Sequence, residues 1–227
     1  MSQDRGIPIL DKRGLAKNRI EALADGIFAV AMTLLVLDIK SPENREFETA
    51  ADLVNYLVAL EHSFAMYAIS FFVLAIFWIW HHMLFHFVRH VDRRLLWLNI
   101  GFLLLVTFVP FSTDLLGDHG HLILPVLVYG ANLLALGSLL AIQVRYLVAH
   151  RELAAADLTD AVVAQVGRDL KVYASVPLAS MAIALVSPRT GMYMYLLLAI
   201  PTFAPSRLDR LLHSGATARA DSSSEEP

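Results

Sequence analysis

Apolar residues along this chain gather into blocks long enough to cross a hydrocarbon core, which needs about 20 residues at about 1.5 Å rise each. Six such blocks can be read, at residues 20–39, 63–87, 95–116, 122–147, 170–187 and 191–204. The pattern predicts an all-α, polytopic membrane protein with six transmembrane helices. Pro177 lies inside the fifth block, and Pro201 and Pro205 shorten or kink the sixth, since proline removes a helix hydrogen bond. The stretch HRELAAADLTDAVVAQVGRD, residues 150–169, sets Leu153, Ala156, Ala161, Val162 and Val166 among acids. It predicts a cytosolic or interfacial helix in a loop of about 148–169. The chain thus divides into a basic cytosolic segment (1–19), a six-helix unit (20–212) and a polar tail (213–227) expected to be disordered.

The loops between the blocks orient them. With the N-terminus inside, Arg5, Lys12, Arg13, Lys17 and Arg19 fall on the inner side, followed by Arg89, Arg93 and Arg94. Arg145, Arg151, Arg168 and Lys171, then Arg207, Arg210 and Arg219, complete fifteen of the 18 basic residues. Only Lys40, Arg45 and Arg189 fall outside. Short inner loops carry this excess of Lys and Arg in multi-span proteins, which predicts both termini in the cytoplasm. The outer loop from Lys40 to Glu61 is acidic (Glu43, Glu46, Glu48, Asp52, Glu61) and begins with a turn at Ser41-Pro42. An acidic mouth would concentrate cations; ordinary solvation gives the same composition.

Composition agrees with the pattern. Apolar residues make up 57% and charged residues 17%, with mean hydropathy +0.57, far from the roughly half and quarter of soluble domains. The net charge of −3 says little beside its distribution. No cysteine is present, so neither a disulfide framework nor a thiolate metal site can form. The first apolar run is too long for a signal h-region, and no small-residue cleavage site follows it. No nucleotide-binding loop, nucleophile elbow or internal repeat is found, and no nucleic-acid partner is expected.

The first helix, RIEALADGIFAVAMTLLVLDI, holds the costliest residues. Glu21 and Asp25 share a face at i,i+4, a mildly unfavourable like-charge pair even in water that needs a partner in lipid. Arg19 stands six residues from Asp25, about 600° of helical turn, so its side chain points about 120° away. Another helix must supply the partner. His81 and His82 end the second block, and Arg93, Arg94, Trp97 and Asn99 begin the third. A buried polar cluster of Glu21 or Asp25 with His81 or His82, Asn99 and an arginine is expected. Further along, Ala22, Gly26, Ala29 and Thr33 form a small-residue row that permits close helix approach. Beside it run Val30, Leu34 and Leu37 at i, i+4, i+7, a spacing that ordinary packing also produces.

Arg19, Leu23-Ala24-Asp25-Gly26 and the following apolar run resemble the first-helix signature of the transmembrane protein 175 family of potassium channels, R-x-x-x-F-S-D-G. The similarity extends to Phe77-Trp78-Ile79-Trp80-His81-His82 and to Leu96-Trp97-Leu98-Asn99 with Pro110-Phe111, covering at least residues 19–116. The resemblance implies a bacterial plasma-membrane channel, a homotetramer in the lipid bilayer that passes K⁺ and other monovalent cations without a cofactor. The first helix of each subunit would line a central pore, narrowest at Val30, with Leu34 and Leu37 as further apolar rings and Thr33 as a hydroxyl ring. Arg19, Glu21, Asp25, Trp78, His81, His82 and Asn99 would form the supporting polar cluster. Apolar rings can gate by dewetting, and hydroxyls can partly replace an ion's water. Val30 is smaller than the isoleucine or leucine usual there, so a wider constriction is expected. Leu23-Ala24 replaces Phe-Ser, removing a hydroxyl from the surroundings of Asp25.

Two other classes fit the sequence less well. A secondary transporter for a cation or small solute would show inverted repeats, broken helices and midplane charge, whereas the intramembrane acids here sit near one face. An intramembrane enzyme or metal protein would use His82, His86 and His90, spaced i,i+4,i+8. That row lacks a companion carboxylate or cysteine motif; interfacial or partner-bonding histidines account for it better. Asn99 and Asn132 are expected to bond between helices, and Gly130 and Gly137 to be packing positions.

Overall fold

Long apolar runs free of exposed breakers become the principal helices: α1 at Lys17–Leu34, α3 at Glu61–His86, α4 at Arg93–His119 and α5 at Ile123–Ala149. A 3-10 turn, Leu35–Asp38, extends α1. Between α1 and α3 lies α2, Ala50–Ala59, and after α5 come α6, Asp160–Ala184, and α7, Pro188–Met194. A 3-10 turn at Tyr195–Leu198 follows α7. The computed structural model describes residues 17–39, 47 and 49–198. The chain is all-α in these residues apart from a single bridge pairing Val88 with Ala154.

Four helices, α1 with its extension, α3, α4 and α5, are long and apolar enough to cross a membrane. The predicted fifth block, 170–187, begins inside α6 and runs three residues past its end at Ala184; the helix starts ten residues earlier, at Asp160, and contains a buried Pro177. Of the predicted sixth block only residues 191–198 are described, as the end of α7 and its 3-10 turn; residues 199–204 lie outside the described residues. So do Pro201, Pro205, the Ser41-Pro42 turn, Lys40, Arg45, Glu43, Glu46, Glu48, the segment before Lys17 and the tail.

Two local departures from the sequence reading have identifiable causes. No separate helix occupies the loop of 148–169. A 3-10 turn at Arg151–Leu153 is followed by α6, which starts at Asp160 because the Thr159 hydroxyl caps Val162 N–H. It then runs past residue 169 without a break, for nothing between Asp160 and Ala184 stops a helix except a tolerated proline. The acidic outer loop, in turn, contains α2. Thr49 and Asp52 form a reciprocal capping box, and none of the α2 residues is buried.

α4 forms the centre of the packing, touching α1, α3 and α5, while α6 lies on α5 and α7 on α6. Phe28, Phe77, Phe85 and Phe102 fill the core beside Leu95, Leu133 and Leu136. Three buried hydroxyls are linked across helices: Thr113 donates to Ser70 at 2.8 Å, and Ser70 and Tyr129 share a bond of 3.0 Å. The Asn132 amide donates to Leu105 O and Ser112 Oγ, both at 3.4 Å, joining α5 to α4. At the other end, Arg89 N–H donates to Leu153 O and Ala155 N–H to Phe87 O, each at 2.8 Å, tying the two basic loops together. Gly130 is a packing position, as a Cβ there would press on Met181 and Tyr195, but nothing in the chain lies within 4 Å of one added at Gly137.

Candidate functional site: the open face of the first helix

α1 is two-sided. Ile20, Ala24, Phe28, Ala31 and Leu35, spaced by three or four residues, are buried, and this face rests on α3 and α4. The opposite face is open along its length. Val30 is 57% exposed, Leu34 43% and Leu37 71%, and Thr33, Ala22, Gly26 and Ala29 are exposed as well. All four residues read as a pore stripe therefore lie on one uncovered face within a single chain.

Two details shape that face. The Thr33 hydroxyl donates to Val30 O at 2.8 Å. Its proton is thereby used within the helix, and the oxygen of this exposed residue keeps its capacity as an acceptor. The change to 3-10 geometry after Leu34 matters also, because side chains three apart eclipse there, whereas in an α-helix they diverge by about 60°. Leu37 consequently stands over Leu34 instead of drifting round the helix.

The polar residues near the basic end of α1 fall into separate groups. Trp78 Nε1 donates to Asp25 Oδ1 at 2.8 Å, and its ring leans on His82 at 5.9 Å. His81, fully buried, bonds through Nε2 to Asn99 Oδ1 at 2.7 Å. Its ring is stacked on Phe85 and Phe102, at 4.5 and 5.5 Å, with Phe28 6.2 Å away. Glu21 lies 3.8 Å from Lys17 on its own helix. Arg19 is exposed, and no arginine joins either group among the described residues. α3 places Trp78, His81 and His82 on neighbouring turns, so one helix end reaches both the open and the buried side of α1.

Sequence reasoning missed the Asp25 partner and the aromatic sleeve of His81. Trp78 was among the residues expected in the cluster, but a histidine or an arginine was expected to meet the carboxylate, and an indole N–H carries no periodic signal. Ala24, at the usual serine position, is completely buried and so turned away from the solvent side where Asp25 stands. His86 ends α3 and lies 3.6 Å from Asp157, and His90 follows the helix, so the three histidines do not share one helical face.

Comparison with known proteins places these features in company. Residues 19–110, which hold nearly all of α1, all of α2 and α3 and two-thirds of α4, match the family described as endosomal/lysosomal potassium channel TMEM175. A potassium channel of Streptomyces collinus is 43% identical over 101 residues, 44% of this chain and 48% of that protein. One from Chamaesiphon minutus is 44% identical over 101 residues, 44% of this chain and 49% of that protein. The aligned stretch thus spans about half the length of these relatives. The crystal structure of a lysosomal potassium-selective channel TMEM175 homologue from Chamaesiphon minutus superposes with a TM-score of 0.68 at 30% identity, covering 82% of this chain and 95% of that one.

Proposed function

The chain belongs to the TMEM175 family, and from that premise we propose that it forms a potassium-permeable cation pore, with α1 of each copy facing a shared axis. The observation that carries the proposal is the uncovered stripe of Val30, Thr33, Leu34 and Leu37. A membrane helix with one buried face can leave its other face to lipid, but lipid requires no hydroxyl at mid-stripe and no small-residue row beside it. Around an axis, Val30, Leu34 and Leu37 stack as apolar rings that resist wetting, and the Thr33 oxygens replace part of an ion's hydration shell. In this reading the copies form a homotetramer, α6 and the segment from α7 onward complete six spans, and both termini face the cytoplasm of a bacterial cell.

Asp25 and Trp78 then hold the inner third of α1 against α3 while the outer part meets the ion. Purified protein in liposomes under K⁺, Na⁺ and Cs⁺ gradients tests this. Passive, K⁺-preferring flux is expected, with Val30→Ala changing conductance or the K⁺/Na⁺ ratio by roughly twofold or more because a smaller ring widens the constriction. No flux from a well-folded oligomer sinks the proposal, and saturable uptake coupled to protons or Na⁺ replaces it with a transporter.

A further inference from the structure

A groove runs over the basic end of α4 and α5, away from the pore stripe. Arg93, Trp97 and Gly101 follow one another at i, i+4, i+8 along α4, with Arg94 and Leu98 beside them. Leu139 and Tyr146 of α5 form the other wall, and the groove encloses about 1070 Å³, counting the solvent open above it. Both arginines are exposed, and neither pairs with a carboxylate among the described residues. The adjacent acid, Asp92, is committed twice, accepting Leu95 N–H at 2.8 Å and the Tyr146 hydroxyl at 2.5 Å.

We propose that this groove binds an anionic phospholipid, with its phosphate on Arg93 and Arg94 and an acyl chain laid along Gly101 and Leu139. Charge complementarity argues for the headgroup, because paired guanidiniums suit phosphate geometry and basic pockets between membrane helices select anionic lipids. Depth argues for a lipid as well. Trp97 is 61% exposed one turn inside an apolar helix, the station of interfacial aromatics, whereas Trp80 is packed on Phe77 and Tyr173. Gly101 supplies the trough: a Cβ there would touch only Leu139 Cδ1, at 3.7 Å. A second copy is a poorer occupant. At this end of α1 and α4, Glu21 faces Lys17, Asp25 holds Trp78 and Asp92 holds Tyr146, so these helices bring no free carboxylate to the arginines.

Native mass spectrometry of the full chain, after addition of dioleoylphosphatidylglycerol or dioleoylphosphatidylcholine, tests the assignment without reading ion flux. One phosphatidylglycerol per subunit is expected to be retained, at roughly fivefold or greater preference over phosphatidylcholine. Arg93→Gln/Arg94→Gln abolishes the preference, and Arg93→Lys/Arg94→Lys keeps at least part of it. Gly101→Leu fills the trough and lowers retention independently of charge. Arg168→Gln/Lys171→Gln, on α6, leaves retention unchanged. Equal retention of the two lipids, equal loss in the α6 control, or displacement by excess inorganic phosphate overturns the proposal. So does a changed oligomer mass with lipid retention intact in the double glutamine variant, which would assign the groove to a second copy.

Discussion

A carboxylate on an apolar helix persists where a donor meets it, and Asp25 meets one in the Trp78 indole. The bond fixes α1 to α3 beside the buried contacts of Phe28 with His81 and Phe102, since residues three apart on an α-helix point only about 60° apart. Trp78→Phe keeps most of the ring and deletes the donor. It should lower stability by about 1 kcal/mol, the ordinary net worth of such a bond at an exposed position, and Asp25→Asn should cost less because an amide oxygen still accepts. Thermal melts of the detergent-purified protein measure both; two unshifted melting temperatures would show that the bond does not hold α1. His81 is a different case, since its ring is stacked between phenylalanines and its Nε2 is satisfied by Asn99. That arrangement suits a fixed structural group in the helix core.

At the scale of elements, helix ends decide more than helix middles. The passage of α1 into a 3-10 turn aligns Leu37 with Leu34, and Thr159 decides where α6 begins. α7 is held to α6 by close backbone approach: the Ser180 hydroxyl donates to Gly191 O at 2.5 Å. A Cβ at Gly191 would lie 2.7 Å from both Ser180 O and the Ala184 Cβ. Gly191→Val should therefore push the helices apart at a cost of about 1–3 kcal/mol, the range for overpacking a tight contact. Gly137→Ala, with open space around it, should be neutral or stabilising by up to about 1 kcal/mol through helix propensity. A melting series of the two variants compares them directly, and equal effects would contradict the packing difference.

For the whole molecule, the proposed assembly rests on the uncovered face of α1. A single chain leaves Val30, Leu34 and Leu37 uncovered, and the proposed pore exists only when several copies bring those faces together. Because the chain has no cysteine, engineered thiols report proximity without background. Leu37→Cys should give disulfide-linked dimers on mild oxidation in membranes, as copies of one position converge near an axis. Val186→Cys, 91% exposed just after α6, should remain largely monomeric on a denaturing gel. The reverse pattern would place α1 at the periphery and α6 at the centre.

Much of this protein was legible in one dimension. Block length and mean hydropathy settled the all-α membrane class, because a bilayer demands internally bonded spans of sufficient length. The motifs from Arg19 to Pro110 identified the family, and 3.6-residue periodicity alone put Val30, Thr33, Leu34 and Leu37 on one side of a helix. Tertiary structure decided which side is uncovered, since Asp25 and Phe28 meet Trp78, His81 and Phe102 on helices far along the chain. It also decided that Trp78, and not a histidine or arginine, bonds Asp25, that Asn99 belongs to His81, and that Asp92 is used up by Tyr146 while no carboxylate among the described residues pairs with Arg93 or Arg94. The physical reason is the same throughout: periodicity assigns a residue to a face, but a hydrogen-bond partner depends on the register between two helices, which no local pattern records.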